Sequence, residues 1–378
     1  MKKMAFIGNP SSLKYFAKDN TGNIVHGYAA RYFFDNHETV KQETTRSNIE
    51  YIRSNFHGLG FVTATMLNVN RTPSFLESHK RTAEFIKKLD MPICVFGLGS
   101  QANKDQKISE SNVNPITVEL LRTISDHSNK IAVRGEFTAE LCNKYGVKNV
   151  EIVGCQSAFV AGIKNYNNKD NLKKIQTMKS IGNLTANRQE QHLFKLMHSN
   201  CVDIIGQTDT TEEKISLNEV TISQFNKDRE KYWLPMYVEK LVQNGYISRD
   251  NYFEYQKNHF RKYYNVNQWI DKLQDDYQFC FGTRFHGNMI ALWAGVPALW
   301  ISHDMRTQEL CEHLGLPFYP HEKLKEINNI EQLAQHCNYD LFWNRLPGNL
   351  KKFINYLKDN NIYELVSPDV KKRINKIS

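Results

Sequence analysis

The stretch QFCFGTRFHGNMIALWAGVPALWIS (278–302) decides the fold of the chain. It predicts an apolar strand at 278–287, an apolar helix at 288–296 and a second apolar strand at 297–302. Strands this apolar are typical of a parallel sheet that helices cover on both faces, and a strand, helix and strand in this order form a βαβ unit. In such sheets ligands lie beyond the carboxyl ends of the strands, so the loop after the first strand is a candidate site.

The same alternation runs along both halves of the chain. Apolar runs such as MAFIG (4–8) and MPICVFGLGS (91–100) are interleaved with amphipathic segments of helical spacing, for example SFLESHKRTAEFIKKL (74–89). A polar linker rich in Asn and Lys, 164–174, separates the halves. We therefore predict an α/β fold with two Rossmann-like lobes and a central cleft. The expected parts are an N-terminal lobe (1–178), a C-terminal lobe (179–345) and a helical segment (346–378) that crosses back to the first lobe.

Composition limits the class of protein. Of the 378 residues, 40% are hydrophobic, which excludes a disordered chain. No apolar run reaches about 18 residues and the N-terminus has too short an apolar stretch for a secretory signal, so neither a membrane span nor export is expected. Lys and Arg exceed Asp and Glu by 49 to 40, and the net charge of +9 suits an anionic substrate, a nucleic acid or an anionic membrane.

The seven cysteines are scattered along the chain and form no CxxC pair. Unpaired thiols in an odd number are typical of a reducing compartment, so we expect a cytoplasmic protein with structural cysteines. No Cys and His spacing of the kind that binds zinc occurs, and no metal site is predicted.

The strongest candidate residues lie where the helix of the opening stretch begins. A helix N-terminus favours anions, and Arg284 could add a bidentate contact to a phosphate or carboxylate there. His286 could donate or accept a proton, and Gly287 would let a ligand approach the backbone. The alternative is that His286 only caps the helix or packs between the lobes.

Further candidates follow other predicted strands. Arg134 comes directly after an apolar strand and either faces the cleft or forms a structural ion pair with a nearby glutamate. The loop Gly99-Ser100-Gln101 lacks the third glycine of a dinucleotide fingerprint, but it could let a ligand approach the backbone. Gly22-Asn23 could act in the same way at the start of the first helix. For both loops the alternative is a simple turn.

Three more polar residues follow predicted strands and are therefore expected to face the predicted cleft. Arg188 follows the first strand of the second half, and Asp304 and Arg306 follow the strand at 297–302. A solvated arginine, or a capping and pairing role in the next helix, explains them equally well. No function is predicted for the histidines without partner spacing, which are His26, His57, His79 and His127.

The segment GTRFHGNMIALWAGVPALWISHDMRTQELCEHLGLP (282–317) resembles the C-terminal signature of the polysaccharide pyruvyl transferase family. That signature is Arg, one apolar residue and His-Gly, then a helix, GVP and a strand. Three further segments agree with the family in order and spacing, so the resemblance spans about residues 20 to 317. They are VFGLGSQ (95–101), IAVRGEFTAELCNKYGV (131–147) and VEIVGCQSAF (150–159).

The resemblance implies a fold similar to that of GT-B glycosyltransferases. It also implies transfer of a pyruvyl group from phosphoenolpyruvate to two hydroxyls of a sugar, in a capsule or exopolysaccharide or its precursor. Family positions match His286, Arg134 and Arg284 as catalytic residues and, more loosely, Arg188 as a substrate-binding residue. One departure is Gln156, where many members have proline. The remaining substrate-binding candidates are Gly22, Asn23, Gly99, Ser100, Gln101, Gly287, Asp304 and Arg306.

The resemblance carries further expectations about partners. The donor is a substrate, so no cofactor and no metal are expected. The acceptor would be a sugar or a lipid-linked oligosaccharide bound on the side of the N-terminal lobe, and the protein could contact the inner face of the membrane. No nucleic acid is expected as a partner.

The expected mechanism needs one acid and several cations. His286 would protonate the vinyl carbon of phosphoenolpyruvate, and Arg134 and Arg284 would hold its carboxylate and phosphate. A glycosyltransferase that binds a nucleotide sugar at the same helix N-terminus is the first alternative. The second is a non-catalytic protein that binds sugars or nucleic acid, for which the affinity for polyanions would depend strongly on salt.

Overall fold

Two main parallel sheets organise the chain in a computed structural model, which describes residues 3–15, 19–68, 73–102, 106–173, 175–185 and 190–377. The strands are β1 (Met4–Gly8), β2 (His37–Thr39), β3 (Gly58–Val62), β4 (Leu67–Asn68), β5 (Ile93–Phe96), β6 (Ser100–Gln101), β7 (Ile131–Val133), β8 (Val150–Ile152), β9 (Ser180–Asn183), β10 (Asp203–Ile205), β11 (Phe260–Arg261), β12 (Phe279–Gly282), β13 (Ala298–Ser302) and β14 (Phe318–Pro320).

The strand order separates the two halves of the chain. The first sheet has the order β2-β1-β3-β5, and the second has the order β11-β10-β9-β12-β13-β14. Two short pairs, β4-β6 and β7-β8, accompany the first sheet, and a bridge from Leu98 to Val133 joins the loop after β5 to β7. All strand pairings among the described residues are parallel. The predicted α/β class with two Rossmann-like lobes is confirmed.

Helices connect the strands and cover the sheets. They are α1 (Gly22–Arg31), α2 (Arg46–Asn55), α3 (Pro73–Leu89), α4 (Pro115–Asp126), α5 (Glu136–Lys144), α6 (Gln156–Asn165), α7 (Gln191–Ser199), α8 (Thr210–Ser216), α9 (Ile222–Lys227), α10 (Met236–Gln243), α11 (Arg249–His259), α12 (Val266–Asp276), α13 (Phe285–Trp293), α14 (Met305–Leu314), α15 (Ile330–Ala334), α16 (Asp340–Asp359) and α17 (Pro368–Ile374). Within the described residues, no helix has both the length and the apolar character needed to span a bilayer.

The start of α13 differs from the sequence prediction. The strand predicted at 278–287 ends at Gly282, whose φ of 150° and contact with β9 leave no room for a side chain, because a Cβ would lie 2.0 Å from the carbonyl oxygen of Asn183. The backbone N–H of Arg284 then donates to Oδ1 of Asn183 over 2.7 Å. These two contacts end the strand and start the helix at Phe285, so His286 lies inside the first helical turn.

The last long helix, α16, packs against the first sheet. The Tyr356 hydroxyl donates to the carbonyl oxygen of Val95 in β5 over 2.5 Å, and the ring of Phe353 lies 4.8 Å from that of Phe33 and 4.9 Å from that of Phe159. Residues 164–173 of the predicted linker lie at the end of α6 and in the 3-10 segment that follows, and residue 174 is outside the described residues. The domain boundaries predicted at residues 178 and 345 stay predictions.

Helix α1 lies tightly against the loop that follows β1, and Gly27 makes this approach possible. A Cβ on Gly27 would lie 1.9 Å from the carbonyl oxygen of Pro10, whereas one on Gly348 in α16 would have no neighbour within 4 Å. We expect Gly27→Ala to lower the free energy of unfolding by about 1–3 kcal/mol through overpacking. Gly348→Ala, the matched control, should raise it by about 0.5–1 kcal/mol. Urea unfolding measures both, and equal effects would contradict the packing explanation.

Candidate active site

The two sheets face each other across the carboxyl ends of their strands, and backbone hydrogen bonds join them there. The N–H of Thr21, just before α1, donates to the carbonyl oxygen of Gln207, which follows β10. The N–H of Met305, at the start of α14, donates to the carbonyl oxygen of Ala102, which follows β6. The N-termini of helices from both halves are thereby held close together, as expected for a ligand site in an open parallel sheet.

Arg284 is held at the edge of the second sheet by its own side-chain hydrogen bonds. Its Nε donates to the carbonyl oxygen of Leu184 over 2.8 Å, and its Nη2 donates to the hydroxyl of Thr208 over 2.9 Å. Burial lowers the pKa of Arg284, but a guanidinium stays charged under all ordinary conditions. The residue therefore presents a fixed positive charge beside the N-terminus of α13.

His286 lies in a cluster that the sequence did not predict. Its Nε2 is 3.7 Å from Sγ of Cys155, and its ring centroid is 5.1 Å from that of His26. Burial, reinforced by the positive charges of Arg134 and Arg306, holds the pKa of His286 well below its ordinary value. The imidazole of His286 is therefore neutral at neutral pH when no anion is bound.

Arg134 is almost completely buried, with 1% of its surface exposed, and it follows β7 as predicted. Its Nη2 lies 3.4 Å from Nε2 of His26, its Nε has no hydrogen-bond partner, and no carboxylate of the described residues forms an ion pair with it. Among the described residues, Arg134 thus lacks the structural ion pair with a glutamate that was the alternative from sequence. Glu309 and Asp304 favour its charge through space, but neither lies within ion-pair distance. A buried guanidinium without a bonded anion is costly, so this geometry favours an anionic ligand.

The glycine loop before β6 makes room for Arg134. A Cβ on Gly99 would lie 2.7 Å from Cδ of Arg134. The hydroxyl of Ser100 donates to the carbonyl oxygen of Leu67, and its backbone N–H donates to the hydroxyl of Thr138. Gln101 extends β6 by pairing with β4. Gly99 therefore positions the arginine, and the substrate contacts predicted for these three residues stay predictions.

Asp304 and Arg306 form a charged pair at the start of α14. Oδ1 of Asp304 accepts the N–H of Thr307 over 2.8 Å, and Oδ2 lies 3.3 Å from Nη2 of Arg306. Burial alone would raise the pKa of Asp304, but Arg306, His303 and Thr307 together hold it below its ordinary value. The helix-capping alternative is correct for Asp304, while the charge of Arg306 also reaches Arg134, Arg284 and His286.

Gly22 and Gly287 lie on either side of one glutamine, Gln207. A Cβ on Gly22 would be 2.3 Å from Oε1 of Gln207, and one on Gly287 would be 2.7 Å from its Nε2. The N–H of Asn23 donates to the carbonyl oxygen of Asn20, which closes the turn before α1. These glycines let the two helix N-termini approach each other. Arg188 lies outside the described residues.

Three residues of this region carried no sequence prediction of function. His26 and Cys155 are fully buried beside His286, and the partners that reveal His26 are more than 100 positions away in the chain. Glu190 is also fully buried: its Oε1 accepts from the hydroxyls of Thr185 and Thr283, and burial raises its pKa to about 7. A buried acid with a pKa near neutrality is a common feature of active sites.

The cluster also has the donor atoms of a metal site. His26, Cys155 and His286 each offer one ligand atom, and these atoms lie within 4.8 Å of one another. Two imidazoles and a thiol would suit a soft cation such as Zn²⁺. The guanidinium of Arg134 lies against His26, however, and its charge opposes a cation at this position. The absence of a metal requirement stays a prediction.

The family model of polysaccharide pyruvyl transferases matches residues 20–305, well over half of the chain. The chain belongs to the polysaccharide pyruvyl transferase family. The protein is therefore a transferase, and its family acts in polysaccharide biosynthesis. All the candidate residues lie inside the matched range except Arg306, which follows its end by one position.

Solved structures similar to this pyruvyl transferase family member share little sequence with it. A Staphylococcus aureus MnaA structure with UDP is 9% identical over 96% of this chain and 98% of its own, with a TM-score of 0.47. The wall teichoic acid polymerase TagF is 12% identical over 99% and 90%, with a TM-score of 0.40. The Methanocaldococcus jannaschii UDP-GlcNAc 2-epimerase is 9% identical over 89% and 91%, with a TM-score of 0.40. No protein among those with curated descriptions matches the chain.

Proposed function

We propose that this protein transfers a pyruvyl group from phosphoenolpyruvate to two hydroxyls of a sugar and forms a cyclic ketal. The buried guanidinium of Arg134 carries the proposal, because it lies close to His286 and no carboxylate of the described residues is within ion-pair distance of it. Phosphoenolpyruvate brings a carboxylate and a phosphate on a three-carbon frame. Arg134, Arg284 and Arg306 offer the charges that such a donor needs.

The reaction adds one proton to the CH₂ carbon of phosphoenolpyruvate, and the two hydroxyls of the sugar acceptor each lose a proton. His286 donates its proton to the CH₂ carbon of the donor, and positive charge develops at C2, shared with its oxygen. The first sugar hydroxyl attacks C2 and its proton returns to His286. The C–O bond to phosphate then breaks, the second hydroxyl closes the ketal, and the last proton leaves with phosphate as hydrogen phosphate. Protons balance, and His286 is regenerated for the next turnover.

Binding of the donor supplies the protonated state of His286. Burial, reinforced by the charges of Arg134 and Arg306, lowers the pKa of His286 and keeps it neutral in the free protein. A bound dianion would cancel much of that positive potential and raise the pKa of His286 again. Protonation of His286 is thereby coupled to binding of phosphoenolpyruvate.

The identity of the donor is tested by direct binding. We expect millimolar phosphoenolpyruvate to raise the melting temperature of the protein, because a ligand that binds only the folded state stabilises it. Nucleotide diphosphate sugars should give a smaller shift, and phosphate release should require both phosphoenolpyruvate and a sugar acceptor. Consumption of a nucleotide sugar without any phosphate release from phosphoenolpyruvate would instead support a glycosyltransferase.

The acceptor and the place of action belong to the same proposal. The acceptor is a sugar of a capsule or exopolysaccharide precursor, bound on the side of the N-terminal lobe and carried by a lipid at the inner face of the membrane. The net charge of +9 favours contact with anionic lipid headgroups. Neither a cofactor nor a metal is needed for the steps above.

A further inference from the structure

His26 is completely buried between the two residues that the proposed reaction depends on most. Its Nε2 lies 3.4 Å from Nη2 of Arg134 on one side, and its ring centroid lies 5.1 Å from that of His286 on the other. A guanidinium has only donors, so Nε2 of His26 must be the acceptor of this contact. His26 is therefore neutral, with its proton on Nδ1.

The surroundings of His26 support this single state. Burial, followed by the charges of Arg134, His286 and Arg31, holds the pKa of His26 well below its ordinary value. The side-chain amide of Asn9 lies 3.1 Å from Nδ1, and since two N–H groups cannot share a hydrogen bond, the amide must turn its Oδ1 to this nitrogen when Arg134 donates to Nε2. The amide of Gln156 donates to the backbone oxygen of His26 over 3.1 Å. The imidazole thus has a partner on each nitrogen and a fixed place in α1.

The backbone around the imidazole leaves no room for another arrangement. Gly97 has a φ of 70°, and a Cβ on it would lie 2.3 Å from Nε2 of His26. The loop after β5 therefore closes directly over the contact between His26 and Arg134. This loop brings Gly99 against Cδ of the same arginine. Both sides of the Arg134 side chain are thereby fixed.

We infer that His26 is a positioning residue that orients the guanidinium of Arg134 toward the anionic donor. The inference rests on the proposed function, since it assumes that Arg134 binds an anion. A neutral imidazole is suited to this task because it accepts one N–H of the guanidinium without cancelling its charge. A carboxylate in the same place would orient Arg134 equally well, but it would form an ion pair and compete with the ligand.

The test compares side chains of similar size at position 26, with and without a hydrogen-bond acceptor for the guanidinium of Arg134. His26→Gln can place an amide oxygen near the position of Nε2, whereas His26→Met fills the space and accepts almost nothing. We expect the Met variant to bind inorganic phosphate and phosphoenolpyruvate at least about 10-fold more weakly by calorimetry, as for a lost hydrogen bond to a charged group, and the Gln variant to remain within about threefold of the parent protein. In turnover, the Met variant should raise KM for the donor more than it lowers kcat.

Several results would overturn the inference. Equal weakening in the Gln and Met variants would indicate a packing role only, and unchanged affinity in both would show that Arg134 needs no support. His26→Leu provides a second acceptor-free variant if His26→Met does not fold, and melting curves verify folding in each case. If the parent protein binds phosphate but not phosphoenolpyruvate, the proposed donor is wrong, while the phosphate series still decides the role of His26. If the parent binds neither, both the donor and the role of His26 are wrong.

Discussion

Replacing His286 by glutamine is expected to lower the rate of phosphate release from phosphoenolpyruvate by about 10²–10⁴-fold, the usual contribution of a general acid. Glutamine keeps a hydrogen-bonding group of similar size in the first turn of α13, but it cannot deliver a proton to carbon. Binding of the donor should therefore survive, because Arg134 and Arg284 keep their charges. The measurements are phosphate release at saturating acceptor, and calorimetry of phosphoenolpyruvate with the same protein.

The pH profile distinguishes an acid from a residue that merely binds. The pKa of His286 is well below its ordinary value in the free protein. The reactive protonated form is then scarce at neutral pH, and kcat/KM should fall as the pH rises above that pKa. The donor raises the pKa in the complex, so kcat should persist to higher pH than kcat/KM. His286→Gln should remove this dependence, and exposed His57→Gln should change neither the rate nor the profile. Full turnover in His286→Gln would refute the acid role.

Periodicity and strand ends were sufficient to predict the architecture and part of the site. The alternation of apolar strands and amphipathic helices predicts parallel sheets, and residues just after strands lie at the carboxyl edge of a sheet. Arg134, Arg284 and His286 are predicted on that basis, and in the structure the charge of Arg306 acts on all three. Such predictions succeed because they depend only on local sequence and on the direction of the strand.

The remaining residues depend on how the two halves of the chain meet. His26 is placed by α1, Arg134 by β7 and His286 by α13, so no spacing in the sequence connects them. The raised pKa of Glu190 has no signal in the sequence either, because it results from burial. The hydroxyls that donate to its Oε1 belong to residues 5 and 93 positions away. The helix that starts at Phe285 was predicted three residues too late, since the contact between Gly282 and Asn183 joins distant strands.

Arg134→Met should weaken binding of phosphoenolpyruvate without lowering the stability of the fold, because the buried charge of Arg134 favours the first and disfavours the second. Loss of the charged hydrogen bond between Arg134 and phosphoenolpyruvate should cost about 1.5–3 kcal/mol of binding free energy, which lowers the affinity for phosphoenolpyruvate roughly 10–150-fold. The guanidinium is buried and forms no ion pair with the described residues, and Glu309 and Asp304 compensate its charge only through space, so its removal also relieves the cost of burying that charge. We therefore expect the melting temperature to stay unchanged or to rise while donor binding is lost.

A surface arginine provides the matched control for this substitution. Arg46 is 91% exposed in its side chain and pairs with Glu50 one turn along α2, so Arg46→Met should alter neither donor affinity nor melting temperature appreciably. Calorimetry with phosphoenolpyruvate and thermal unfolding without ligand are measured on all three proteins. If Arg134→Met loses stability and affinity together, the arginine is chiefly a structural residue. If it gains stability and loses affinity, the protein retains a destabilising buried charge because the anionic donor needs it.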